Sequence, residues 1–292
     1  MRITNSILYN TVKRSIQKAA QDLHDKQEKL SSGKKVLRPS DDPLSAMRAQ
    51  QLHTSLNKTG QYQRNNTYAK SWLQTTEAAL HQSSDLLIRL KELAVSQSSD
   101  QYNAEIRQGA AQEVESLRDQ LLALANTKAG KRSVFAGHAT DSPAFSPAGQ
   151  YAGSEGEIYL NIDEGMTLKL NVTGDEVFES AEGKTIFQSL DDFVTALESN
   201  DTEGIRDVME ELETTFTRVN SSLSLMGSRA NTLEKTRSIN EEQTIIDTDQ
   251  LGNVEEIDMI QTVVDMQSAQ NAFQASLLAS GQIGKLNLGQ FI

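Results

Sequence analysis

The amino-acid sequence predicts a mainly α-helical fold with a small β insert, in an elongated architecture of antiparallel long helices whose terminal helices pair. Over most of the 292 residues, apolar side chains recur at alternating spacings of three and four, the pattern of helices that pack along one stripe. From about residue 137 to 184 this pattern gives way to alternating runs with glycines and prolines, which is typical of strands and turns. Aromatic residues make up only 5% of the chain, which favours narrow helix contacts over a thick core.

The first predicted helix ends near Leu30 and carries a coiled-coil seam in which Lys26 is the one polar residue. Gln270 interrupts the seam of the last helix in the same way. A single interrupted seam barely offsets the roughly 1 to 2 kcal/mol of backbone entropy lost per ordered residue. We therefore expect the terminal segments to be mobile in the monomer and to order on assembly. The predicted N-terminal assembly seam consists of Val12, Ile16, Ala19, Leu23 and Leu30.

The stretch LSSGKKVLRPSDDP, from Leu30 to Pro43, predicts a joint between two helices. Gly33 is expected to end the first helix in the left-handed conformation, with the two following lysines near the negative helix end. Asp42 is placed to cap the second helix, with Pro43 at its first position. We predict that this joint is a hinge between the terminal seam and a self-sufficient helical domain. The predicted hinge residues are Gly33, Pro39, Asp41, Asp42 and Pro43.

Two further helices are predicted before the β insert. The second helix begins after Pro43 and ends near the polar stretch SQSSDQYN, and a third is predicted from Ile106 to Leu124. Within the insert, the runs GEIYLNID and MTLKLNV predict two strands. NIDEGM between them predicts a hairpin connection.

Helix returns after the insert at SLDDFVTALESN and in a long pattern from Ile205 to Leu233. A break is predicted at Gly252 and Asn253, after which the last helix shows a second seam with many small residues that permit close approach of a neighbouring backbone. Because the insert is entered and left by helices, the two halves of the chain can run antiparallel and the terminal helices can pair. The predicted C-terminal assembly seam consists of Val263, Met266, Phe273 and Leu277.

This order predicts three domains. Residues 1–42 with 251–292 would form a terminal coiled-coil domain, and residues 43–136 with 185–250 a helical bundle. Residues 137–184 would form the small β domain, at a size where an independent core is marginal.

Composition and motifs exclude several classes of function. The formal charge of −12 disfavours nucleic acid, and the sequence has no polybasic patch or apolar run long enough for a membrane helix. We expect no cleaved signal peptide, because the N-terminus lacks an apolar core region. The chain has no cysteine, and its four histidines stand apart from any metal-ligand spacing, so we expect no metal, no cofactor and no enzymatic activity. AGKRS and GQIGKLN only approach a phosphate loop, since each lacks a required residue.

Three segments together resemble the bacterial flagellin superfamily. LSSGKKVLRPSDDPLSAMRAQQL, from Leu30 to Leu52, is similar to its N-terminal signature, and PSDDP resembles the hook–filament junction proteins of the superfamily more than its filament flagellins. GKRSVFAGHATDSPAF, from Gly130 to Phe145, is similar to the passage where those proteins enter their β domain. The segment from Met259 to the C-terminus is similar to the closing helix of the family.

The resemblance implies a structural flagellar subunit exported unfolded by the type III apparatus, without a cleaved signal, to the extracellular end of the hook. It implies four partners: hook-associated protein 1, flagellin, copies of the chain itself, and a small cytoplasmic export chaperone on the C-terminal helix. Val263, Met266, Phe273 and Leu277 would then contact the chaperone first and neighbouring subunits later. A small filament flagellin, and a coiled-coil binding or adhesin module, are the alternatives.

Overall fold

Helix dominates the fold, as predicted. The computed structural model describes residues 2–99, 104–180 and 183–288. The described helices are α1 (Arg2–Ser32), α2 (Pro43–Gln97), α3 (Ala104–Ala125), α4 (Gly174–Phe178), α5 (Ile186–Glu198), α6 (Thr202–Glu255) and α7 (Met259–Leu288). Part of the predicted loop SQSSDQYN, residues 100–103, lies outside the described residues.

The β insert contains fewer strand residues than its sequence predicts. One short antiparallel pair, β1 (Lys128–Ala129) with β2 (Arg132–Ser133), lies just before the insert, and a second, β3 (Tyr159–Asp163) with β4 (Met166–Lys169), lies within it. The second pair confirms the predicted hairpin and carries a bulge near its turn.

Strand β4 ends at Lys169, before the end of the run MTLKLNV that predicted it. The Asn171 side chain takes the place of the next backbone partner, since its Oδ1 accepts from the Ile158 amide at 2.8 Å and its Nδ2 donates to the Gly156 carbonyl at 2.6 Å. Because a side-chain amide makes these hydrogen bonds to the backbone of the neighbouring segment, the regular backbone hydrogen bonds between the two strands stop here.

The predicted break at Gly252 and Asn253 is wrong. Helix α6 continues through both residues to Glu255, and the Asn253 side chain donates to Asp249 of the same helix. Helix α6 ends at the residue that pairs with the segment after α1. Its end is therefore set by a tertiary contact and not by a local helix-breaking residue.

Two compact units are formed, Met1–Lys58 with Gln243–Ile292 and Thr59–Glu242. The three-domain division stays a prediction. In the unit of residues 59–242, helices and insert share one apolar core that includes the buried Trp72. Phe145 contacts Phe178 and Phe187 at ring-centroid distances of 5.8 and 5.1 Å, edge to face. The insert therefore packs as part of the helical core.

The terminal unit, residues 1–58 with 243–292, is packed very differently. Among its described residues, the buried apolar side chains are Ala49 and Ala269. Its helices therefore meet along half-buried stripes, which leaves much of their apolar surface in contact with water.

Candidate functional site

The joint after α1 has the cap geometry that its sequence predicts. Gly33 has a φ of +70°, and its amide donates to the Lys29 carbonyl at 2.9 Å. A Cβ at this position would meet nothing within 4 Å, so it is the left-handed backbone, and not space, that favours glycine.

The start of α2 is held by two aspartates. Asp41 Oδ2 accepts from the Arg38 amide at 3.1 Å and closes the turn that contains the exposed Pro39. Asp42 Oδ1 accepts from the Ser45 amide at 3.1 Å, while Pro43 begins the helix, as predicted. Hydrogen bonds from the Ser45 hydroxyl and amide lower the pKa of Asp42. That the joint acts as a hinge stays a prediction.

The joint pairs with the link between α6 and α7. The Lys35 amide donates to the Glu255 carbonyl at 2.6 Å, and the Ile257 amide donates to the Gly33 carbonyl at 3.2 Å. These bonds make a short antiparallel bridge in which Lys34 lies opposite Glu256. The segment that follows α1 and the segment that precedes α7 are thus joined through their backbones.

A carboxylate at the end of α6 collects two further contacts at this joint. Glu255, whose side chain is 17% exposed, accepts from Lys34 Nζ at 2.8 Å and lies 2.9 Å from His53 Nε2. The hydrogen bond from Lys34 is the main cause that lowers the pKa of Glu255, and that from His53 acts in the same direction. Three separate segments therefore meet at one carboxylate, which we call the joint cluster (Lys34, His53 and Glu255).

The predicted seam of α1 lies in half-buried positions. Val12, Ile16, Ala19, Leu23 and Leu30 are all partly shielded from water. Lys26, the polar residue of the seam, donates to Asp265 of α7 at 3.2 Å. The lysine that interrupts the apolar stripe is thus paired across the two terminal helices.

The predicted seam of α7 is unequally shielded. Met266 and Phe273 are half-buried, whereas Val263 and Leu277 are 45% and 46% exposed. The shielded face of α7 consists of Thr262, Asp265, Met266, Ala269, Phe273, Ser276 and Ser280. The four residues share one side of the helix, with Val263 and Leu277 at its more exposed edge, and their role in assembly stays a prediction.

A second apolar face of α7 is open to water. Ile260, Val264 and Leu278 are 81%, 58% and 72% exposed. Exposed apolar side chains at both ends of a helix are candidate contacts for a partner, and Gln267 and Asn271 lie between the two groups. Exposed apolar residues elsewhere in the terminal unit include Leu44, Met47, Ile245 and Ile246.

Candidate sites for chemistry are sparse. No group of three or more His, Cys, Asp or Glu side chains is placed to hold a metal ion within the described residues. No helix in the same part of the chain is long and apolar enough to cross a membrane. The four predicted isolated histidines include His53, whose contact with Glu255 joins positions too distant in sequence for spacing to reveal.

Comparisons with known proteins identify the family. The family model described as the bacterial flagellin N-terminal helical region matches residues 3–140. Flagellar hook-associated protein 3 of Escherichia coli strain K12 is 27% identical, over 99% of both chains. The chain belongs to the bacterial flagellin superfamily.

Other members of the flagellin superfamily match in different ways. The flagellar filament 41 kDa core protein of Borreliella burgdorferi is 34% identical, over 37% of this chain and 32% of that protein. A solved structure of a putative flagellar hook-associated protein from Vibrio parahaemolyticus has the same fold, with a TM-score of 0.69 at 21% identity over 74% of this chain and all of that one. The resemblance inferred from sequence is confirmed, and the chain is a structural component of the bacterial flagellum.

Proposed function

We propose that this flagellin-superfamily chain is the junction subunit that joins the hook, through hook-associated protein 1, to the flagellin filament. The observation that carries the proposal is the extent of similarity. The match to hook-associated protein 3 covers 99% of both chains, whereas the match to the filament core protein covers about a third of each. A filament subunit of this length would be expected to match filament proteins over a larger share of its sequence.

The terminal unit supports a role in assembly. Its described residues bury few apolar side chains and expose an apolar face on α7, so neighbouring subunits would supply the contacts that the isolated chain lacks. The order-on-assembly prediction follows the same reasoning, since helices with half-buried seams gain stability when a neighbour covers them. This role needs no catalytic group and no cofactor.

The unequal exposure of the predicted seam residues of α7 suggests how the export chaperone would bind. Val263 and Leu277 are accessible while α7 is paired with α1, but Met266 and Phe273 are shielded. A chaperone that covers all four must therefore separate the two helices, which fits export of an unfolded chain through the type III apparatus, without a cleaved signal, to the extracellular hook end.

A strain that lacks this gene tests the junction role. We expect intact hooks, no filaments, and flagellin released into the medium, since filament subunits would have no surface to grow on. A strain that secretes no flagellin at all would overturn the junction role in favour of a small filament flagellin. Complementation with the full chain controls for effects on neighbouring genes.

Truncated chains separate the junction role from an adhesin or other binding module. Deletion of residues 1–30 or 260–292 should abolish incorporation into the flagellum while residues 59–242 stay folded. Substitutions at exposed positions between 148 and 183 should leave incorporation unchanged. If filaments formed without the ends but failed with the exposed substitutions, the β insert would be the functional element.

A further inference from the structure

The interface between α1 and α7 contains one ion pair, among the described residues, at the position where Lys26 interrupts the apolar stripe of α1. Lys26 Nζ lies 3.2 Å from Asp265 Oδ2, and the two side chains are 29% and 40% exposed. Asp265 Oδ1 accepts from Gln261 Nε2 at 2.9 Å. Both carboxylate oxygens are therefore engaged. Gln261 holds Oδ1 and thereby orients Oδ2 toward the lysine.

The ion pair and the backbone bridge agree on one alignment of the terminal helices. In the bridge, Lys34 lies opposite Glu256. Lys26 precedes Lys34, and Asp265 follows Glu256, by similar lengths of chain, roughly two helical turns each. The contact at Lys26 thus continues the antiparallel register that begins at the joint.

After a slip toward the C-terminus, α7 offers Lys26 no other acidic side chain. The sequence has no Asp or Glu after Asp265. A slip of one heptad would place Lys26 beside Ala272, with its ammonium group unpaired against small and apolar side chains. An unpaired charge at a half-buried helix contact is destabilising, so this alignment is disfavoured.

The opposite slip is opposed by the start of α7. It would bring Lys26 toward Asp258, one heptad before Asp265. Asp258 already accepts from the Gln261 amide at 3.0 Å, and the adjoining Ile257 amide is held by Gly33. The backbone hydrogen bonds of the bridge hold the end of the α1–α7 helix pair at the joint. They do not depend on side chains, so they do not select which side chains meet farther along the two helices.

We propose that Lys26 and Asp265 are the register-determining pair of the terminal helices. Their function is to exclude slipped alignments, in the way that one polar residue in an apolar seam fixes the alignment of a coiled coil at some cost in stability. The aligned pair then fixes which residues along the shielded side of α7 lie opposite each residue of α1. This inference concerns the isolated chain and does not depend on the proposed junction role.

Disulfide crosslinking in the full-length chain tests the proposal directly, because the chain has no cysteine of its own. Counting three residues outward from the Lys26–Asp265 contact places Leu23 level with Ser268; Ala269, the next residue, lies on the shielded face, as does Leu23. The in-register reporter is therefore L23C with A269C, and the slipped reporter is L23C with S276C. One heptad moves a helix residue by about 10 Å, beyond the roughly 4 to 7 Å between Cα atoms that a disulfide spans.

Crosslinked fractions at low protein concentration should favour the in-register reporter by at least about tenfold, the ratio that a difference of about 1.4 kcal/mol gives. K26Q and D265N should each reduce this preference to about threefold or less, and the exchanged pair K26D with D265K should restore it. K70Q is the matched control, since Lys70 forms an ion pair with Glu234 outside the terminal unit, and should change nothing.

K26M separates register from stability. It should retain the helicity and thermal stability of the parent chain but lose the reporter preference, since methionine fills the seam without requiring a partner. Equal crosslinking of both reporters in the parent chain would overturn the proposal. It would also be overturned if K26Q, D265N and K26M all kept the parent preference.

Discussion

Replacing Glu255 with glutamine is expected to weaken the pairing of the joint after α1 with the link between α6 and α7. The substitution keeps the size of the side chain but removes the charge that both Lys34, at 2.8 Å, and His53, at 2.9 Å, contact. Charge-assisted hydrogen bonds contribute about 1.5 to 3 kcal/mol when well shielded. The Lys34 side chain is 50% exposed and the amide can still make one hydrogen bond, so we expect a loss of about 1 to 2 kcal/mol.

Native-state hydrogen exchange measures this loss at the bridge itself. The amides of Lys35 and Ile257 donate across the joint, so they exchange when it opens. A loss of 1 to 2 kcal/mol corresponds to a fall of about 5- to 30-fold in their protection factors. E234Q removes an exposed carboxylate from the pair with Lys70 and should leave both amides unchanged. Protection within twofold of the parent in E255Q would show that the joint cluster does not hold the bridge.

Four further predictions follow from the described contacts. The pKa of Glu255 lies below its usual value of 4.5, so its contribution is present above that value and is lost as pH falls through the lowered pKa; protection at the bridge should therefore fall below about pH 4.5 in the parent chain and stay level in E255Q. G33A should destabilise the joint by about 1 to 2 kcal/mol, seen as faster proteolysis between residues 30 and 43, because alanine is strained at a φ of +70°. D42A should cost about 1 kcal/mol by the same assay and D42N much less, since asparagine can still cap α2. F187A should lower the urea stability of residues 59–242 by about 3 to 5 kcal/mol, and a loss below 1 kcal/mol would contradict the shared aromatic core.

Features fixed by neighbouring residues were predictable from the sequence. The Gly33 cap, the Asp42 cap and the β3–β4 hairpin each depend on a few adjacent side chains and on backbone preferences that hold in any protein. Their geometry in the structure agrees with these predictions.

The unequal shielding of the α7 seam was not predictable from spacing. At 3.6 residues per turn the four seam residues lie within one arc of about 80°, and spacing does not tell which edge of that arc, the one with Val263 and Leu277 or the one with Met266 and Phe273, lies nearer to α1. Which side is shielded depends on where α1 packs, and small residues such as Ala269 allow that approach.

Contacts between distant parts of the chain were missed for a different reason. His53 and Glu255 are separated by most of the sequence, and neither carries a local signal for the other. The true end of α6 was missed because it depends on the pairing of Glu255 with Lys35, which no property of Gly252 reveals.

The scarcity of buried apolar side chains in the terminal unit has a consequence for mutational scanning. Substitutions on a half-buried helix remove little packing from the isolated chain, so a library selected for folding alone will score most changes along α1 and α7 as neutral. A library selected for swimming cells would score the same positions by the contacts that neighbouring subunits add. The difference between the two scores at each residue would map the subunit interface without a structure of the assembled flagellum.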